Sequence, residues 1–165
     1  LAATKARGRY AASLRASGRE MEVWAAEKLG IKHAKFVDHS GLGDQSRIRS
    51  DELAKALSIL AEKEQLQPIL RAFGMKDAKG RPVKNHPISV QAKTGTLNFV
   101  SGLAGYMEAP SGQELAFAIF SADTETRAGL NRDQRERPRG ARNWNARAKG
   151  LQQKLIERWG ALNTG

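Results

Sequence analysis

The chain contains no cysteine. Disulfides, thiolate metal sites and a cysteine nucleophile are thereby excluded, while export is not. No apolar run approaches the roughly 18 residues of a membrane-spanning helix. Acidic residues are in short supply: 17 Asp and Glu stand against 28 Lys and Arg, a net charge of +11. Histidines are few, and His33, His39 and His86 lack the spacing of zinc ligands, so they read as surface or turn residues. Nothing in the sequence speaks to targeting.

What remains is enough for one domain. At 165 residues, 40% hydrophobic and 27% charged, the chain is long and apolar enough to bury a core. Its basic residues concentrate near the start and again from Arg127 to Lys149. Such a surface attracts polyanions, nucleic acid among them, but a charge run specifies no partner. The stretch from Arg127 to Arg142 is expected to be exposed and partly paired with acidic neighbours.

The first half reads as helical. "SGREMEVWAAEKLG" is a short helix, with Ser17 as its cap, Met21, Trp24, Ala25 and Leu29 at helical spacing, and Gly30 at its end. "AKFVDHSG" reads as a short strand or extended segment. "SDELAKALSILAEKE" is the clearest helix, capped by Ser50 or Asp51 and lined by Leu53, Leu57 and Leu60. Gln67 to Phe73 fits one more helical turn, before a polar loop with two glycines and two prolines.

The second half changes period. Ile88–Thr94, Leu97–Met107 and Glu114–Ala122 read as strands, the last two joined by a hairpin around Ala109–Gly112. An Arg-rich loop follows. "NWNARAKGLQQKLIERWG" closes the chain as an amphipathic helix with Trp144, Leu151, Leu155 and Trp159 as its apolar residues. The tryptophans fit a core better than a stacking platform for bases. This order predicts an α+β fold, with helices packed on an antiparallel sheet.

One motif carries chemistry. Lys93-Thr94-Gly95-Thr96 sits where a strand ends. The ammonium gives fixed positive charge, the hydroxyls can hold a carboxylate, and the glycine lets a ligand approach the backbone. A backbone N–H just beyond it can serve an oxyanion hole. It is not a Walker A loop, because no glycine-rich stretch precedes it and a strand follows. Asp38, His39 and Ser40 look like a triad only in sequence, since neighbours in an extended chain point to opposite faces.

The stretch "QAKTGTLNFVSGLAGYM…SGQELAFAIFSAD" resembles the C-terminal part of penicillin-recognising serine enzymes. The match is to low-molecular-mass penicillin-binding proteins of the D-alanyl-D-alanine carboxypeptidase/endopeptidase (DacB-like, peptidase S13) family. "DHSGLGDQSRIRSDELAKAL" resembles the family's Asp-Gly-Ser-Gly-Leu-Ser segment and the helix after it. His39 stands where the family has glycine, and Gly43 where it often has serine.

The resemblance implies a β-lactamase/transpeptidase-like fold and acyl transfer on peptidoglycan peptides ending in D-Ala-D-Ala. It also implies no metal or organic cofactor, β-lactams as inhibitors, and a periplasmic or cell-wall location. Lys93 and Thr96 are then the catalytic candidates. Lys93 completes a lysine–serine network, and the Thr96 N–H is one oxyanion donor. Thr94, Gly95 and Thr96 bind substrate, and Ser40 with Gly41 shapes the wall.

The family also uses Ser-x-x-Lys and Ser-x-Asn. No serine here has lysine three positions on or asparagine two positions on. The chain is therefore read as the C-terminal part of such a domain, whose partner is the upstream part of the same protein, and as inactive alone. Two other readings stand beside it: a basic polyanion- or nucleic-acid-binding module, and a non-catalytic homologue.

Overall fold

The computed structural model describes residues 8, 11, 13–38, 40, 45–64, 66–77, 79–131 and 133–163. It divides into two units, Leu1–Ile59 and Leu60–Gly165.

In the N-terminal unit, helix α1 spans Leu14–Leu29. Its cap is Ser13, whose Oγ accepts from the Ala16 N–H at 3.1 Å, and not Ser17. The helix begins a turn earlier than expected because Ser13 is extended and its hydroxyl answers an orphan N–H there. Ser17 is buried instead. Gly30 ends the helix at φ 65°, a left-handed conformation that suits glycine.

The expected strand "AKFVDHSG" shrinks to a single bridge between Lys35 and Arg47. Side chains satisfy its backbone in place of a ladder. The Phe36 N–H donates to the Glu22 carboxylate, and the Val37 N–H to Ser46 Oγ at 3.2 Å. A Cβ on Gly18 would lie 2.5 Å from the Phe36 carbonyl oxygen, so α1 and this segment touch backbone to backbone. His39, Gly41 and Gly43 lie outside the described residues.

Helix α2 spans Ser50–Glu64, as expected. Its capping differs: Ser50 and Asp51 are both inside, and the Leu53 N–H already bonds the Arg49 carbonyl at 3.0 Å. Asp51 serves as a first-turn acid, favourable near a helix N-terminus. It accepts from Arg49 Nε at 2.9 Å and Nη2 at 2.8 Å. Ala56 and Leu57 are buried, while Leu53 and Leu60 are half-buried.

The C-terminal unit is a meander. A 3₁₀ turn at Gln67–Ile69 leads to β1, Arg71–Ala72. The expected single helical turn is thus half 3₁₀ and half strand, because Val90 offers its carbonyl to the Phe73 N–H at 2.8 Å. Strands β2 (Ser89–Leu97), β3 (Val100–Glu108) and β4 (Glu114–Ala122) follow. The sheet order is β1-β2-β3-β4, antiparallel throughout.

Leu97 ends β2 rather than opening β3, and Asn98–Phe99 make a two-residue turn. No glycine announces it. Phe99 takes φ 60°, and its buried ring meets Trp144 edge-on at 6.2 Å. Tertiary packing thus holds a conformation that a bulky residue rarely adopts. The second hairpin is where the sequence placed it. The Ala109 N–H reaches the Gln113 carbonyl at 2.9 Å, and Gly112 sits at φ 84°.

A five-residue helix α3, Thr124–Ala128, and a 3₁₀ turn at Asp133–Arg135 break up the expected loop. Helix α4, Ala141–Leu162, closes the chain. The core lies under one sheet face, where Val90, Ala92, Leu103, Met107, Phe117 and Ile119 cluster with Ile156 of α4. Trp159 leans on Phe117 at 6.3 Å. Leu151, expected to face inward, is 51% exposed. Gln152 takes the buried place beside it.

Candidate active site

Strand β2 carries Lys93, Thr94, Gly95 and Thr96, and all four are exposed. The strand's two ends differ. At its start, Val90 and Ala92 are buried, and β1 covers its outer edge. β1 stops opposite Ala92, where Arg71 is the cross-strand partner.

The direction of the backbone groups follows from alternation. The Val90 carbonyl points at β1, since it accepts from Phe73. In an antiparallel ladder each residue turns its N–H and C=O to the same side, and sides alternate. Ala92, Thr94 and Thr96 therefore turn theirs outward as well, while Lys93 and Gly95 face their β3 partners, Ala104 and Gly102. Beyond Ala92 no described strand meets this edge. The backbone groups of Thr94 and Thr96 point to that edge, where the Lys93 ammonium folds over to donate to the Thr94 carbonyl.

Side chains alternate too. Lys93 and Gly95 project to one face, and Thr94 and Thr96 to the face that also holds Val90 and Ala92. Both sets border the same open edge. A Cβ on Gly95 would meet nothing within 4 Å, and its φ is not positive. Nothing among the described residues requires glycine there. The gap it leaves suits an approaching ligand.

The opposite is true of Gly105 on β3. A Cβ there would lie 2.2 Å from the Gln91 carbonyl oxygen and 2.6 Å from Ala92 Cα. Its absence lets β3 press close against β2 just ahead of Lys93. On the Lys93 face, Tyr106 is buried. Burial, and then the charge of Glu114, pushes its phenol above the ordinary value.

The turn after Thr96 is pinned by three donors. Asn145 Nδ2 bonds the Leu97 carbonyl at 2.9 Å. Arg127 Nη1 bonds the Asn98 carbonyl at 3.0 Å, and the Asp123 N–H bonds the Phe99 carbonyl at 2.9 Å. Sequence reasoning missed these residues. Arg127 was hidden among other arginines, and an asparagine on a helix gives no local sign of a distant acceptor. Arg127 is thus engaged by a backbone carbonyl. No ion pair among the described residues holds Arg137, Arg139 or Arg142, all exposed. The expected pairing with acids is thus not seen at these three among the described residues.

Ser40 belongs to the N-terminal unit. Its N–H and Oγ both donate to Asp38 Oδ1, each at 2.8 Å, a local turn rather than a nucleophile–base pair. Two cavities, about 300 and 400 Å³, lie in that unit, and neither includes a β2 residue. Lys93 is exposed and borders neither of these two. One of those cavities borders Glu52, whose Oε1 accepts from Lys32 N at 2.9 Å, His33 N at 3.1 Å and His33 Nδ1 at 3.0 Å. Burial works to raise its carboxyl, but these donors outweigh it and hold the group below the ordinary value. Among the described residues no cluster of His, Asp and Glu is suited to a metal ion.

The model of the D-Ala-D-Ala carboxypeptidase 3 (S13) family matches residues 5–139. No curated protein matches. Among solved structures, penicillin binding protein 4 (dacB) from Haemophilus influenzae is similar with TM-score 0.62 and 18% identity, over 93% of this chain and 34% of that one. A predatory endopeptidase from Bdellovibrio bacteriovorus gives TM-score 0.60 and 17% identity, over 90% of this chain and 39% of that one. The likeness shows the same α+β fold, and the chain spans little more than a third of those structures. Since the matched stretch takes in most of its residues, the chain belongs to the D-Ala-D-Ala carboxypeptidase 3 (S13) family.

Proposed function

We propose that this chain is the C-terminal part of a penicillin-binding/transpeptidase-like domain. The whole is a serine-type D-alanyl-D-alanine carboxypeptidase/endopeptidase, acting on peptidoglycan stem peptides outside the cytoplasm. The observation that carries the reading is the edge of β2 from Thr94 to Thr96, which no described strand covers, bordered by Lys93 and by a glycine that no described neighbour requires. Family membership supports it, as does a Haemophilus influenzae relative solved with a β-lactam bound.

In this reading the substrate's terminal carboxylate is held by the hydroxyls of Thr94 and Thr96 and drawn by the charge of Lys93. The outward N–H of Thr96 donates to the oxyanion that forms when a serine attacks the carbonyl. Attack forms the serine O–C bond as the carbonyl π pair moves onto oxygen and the hydroxyl proton passes to the serine's base, and a preorganised donor at that oxygen is worth roughly 3 kcal/mol in the transition state. The nucleophile and its lysine come from a segment other than these residues. A serine hydroxyl needs a base within about 3 Å, and no serine here has lysine one helical turn on. No cofactor takes part.

Intact-mass spectrometry after incubation with benzylpenicillin tests this. The 165-residue chain should form no covalent adduct, and a longer parent carrying Ser-x-x-Lys and Ser-x-Asn should form one stoichiometrically. In that parent Thr96→Pro, which deletes the N–H, should slow acylation far more than Thr96→Ala. An adduct on any serine of this chain would misplace the nucleophile. A parent with both motifs and no adduct would leave a non-catalytic homologue.

A further inference from the structure

The outward face of α4 has no role in the site just described. Arg147, Leu151, Lys154, Arg158 and Leu162 fall three or four residues apart on one line, and all are exposed. Residues at that spacing share one face of a helix. At 1.5 Å per residue the line is about 22 Å long. Its two leucines are 51% and 67% exposed, alternating with three cations. Between residues 137 and 163 the sequence holds seven cations and a single acid, Glu157. That acid is turned aside: its Oε1 accepts from Gln153 Nε2 at 2.9 Å. No ion pair among the described residues engages the three cations.

We infer that this face of α4 docks on an anionic lipid surface. The cations supply attraction to acidic headgroups, and the leucines supply what a soluble polyanion would not use. An apolar side chain between cations gains by dipping below the headgroups, while the lysine and arginine stems reach back to the phosphates. The helix is too polar to cross a bilayer, and among the described residues none is long and apolar enough to do so. The mode is lying on the surface, and its strength is modest: each basic residue near an anionic membrane contributes about a fivefold gain in partitioning.

Co-sedimentation with vesicles tests the inference on the full 165-residue chain. Two lipid compositions are compared: phosphatidylcholine alone, and two parts phosphatidylcholine to one part phosphatidylglycerol. The chain should pellet with the anionic vesicles only, and release at about 1 M salt, where the Debye length is near 3 Å. Joint replacement of Arg147, Lys154 and Arg158 by Gln should weaken partitioning about a hundredfold, and Leu151→Asn about fivefold. All four sites are exposed, and near-UV circular dichroism checks that the fold survives; should the triple variant misfold, Leu151→Asn and the salt series still decide. Equal binding to both vesicle types overturns the inference. So does unchanged binding by the triple variant. Leu151→Asn without effect, with heparin competing fully, would assign the face to a soluble polyanion instead.

Discussion

Gln152 Nε2 donates to Ser101 Oγ at 3.1 Å, and both residues are almost fully buried, at 2% and 1% exposure. The bond ties α4 to the start of β3, and Ser101 is the cross-strand partner of Thr96. A polar pair thus sits behind the proposed oxyanion donor. Gln152→Leu strands the Ser101 hydroxyl in an apolar setting, at a cost of about 1–3 kcal/mol. Adding Ser101→Ala should recover most of it, since removing both partners is nearly neutral. Urea denaturation of the two variants measures the difference. Equal destabilisation of single and double variants would show that packing, not the hydroxyl, sets the cost.

Gly105 and Gly95 should behave oppositely. Gly105→Ala drives a methyl into the β2 backbone at Gln91 and Ala92 and should cost more than about 2 kcal/mol.

Gly95→Ala enters open space and restricts only the unfolded chain, so stability should hold or rise by about 0.5 kcal/mol. In a reactive parent the same change should still slow acylation by penicillin, because the methyl stands where the ligand passes. Lys93→Ala should likewise leave stability within about 0.5 kcal/mol and slow acylation. Thermal melts beside acylation rates separate the two effects. A Gly95→Ala parent with full reactivity would remove the ligand from this edge.

The loop from Phe73 to Pro87 should loosen in acid. Asp77 Oδ1 accepts from the N–H groups of Lys79 and Arg81, both at 2.9 Å, and Oδ2 from Arg81 Nε at 2.8 Å. The Arg81 backbone N–H first, then its guanidinium, holds the carboxyl below its ordinary 3.8. A depressed folded value means the carboxylate's contribution is present above pH 3.8 and is lost as pH falls through that lower value. Asp77→Asn should therefore flatten the acid limb of the stability–pH curve and leave its upper part unchanged in slope. An identical acid limb in both proteins would count against the loop's anchoring by this carboxylate.

Much of the fold was legible because it is local. The strands β2, β3 and β4 alternate by two, the second hairpin carries its glycine, and α2 and α4 repeat by 3.6. The motif Lys93 to Thr96 was readable as chemistry for the same reason. What was missed depends on partners far away in sequence. β1 exists only because Val90 has a spare carbonyl, and a two-residue strand has no pattern of its own. Phe99 adopts a glycine-like conformation because Trp144 packs on it. Met75 lies in what reads as a polar loop, yet it is 2% exposed within the core. Leu151 and Gln152 exchange expected places because hydropathy cannot tell that Ser101 waits in the core for a donor.

The two tight turns of the meander bear on how the chain finds its structure. Every strand pairing from β2 to β4 joins residues close in sequence, and pairings of that kind form early because little loop entropy opposes them. α4 must return from much farther along the chain to reach β3. The edge of β2 should therefore assemble ahead of the helix that later covers the face holding Val90 and Ala92. Pulse-labelling hydrogen exchange during refolding should find Leu103 and Tyr106 amides protected before that of Ile156. The reverse order would make α4 the nucleus on which the sheet is laid down.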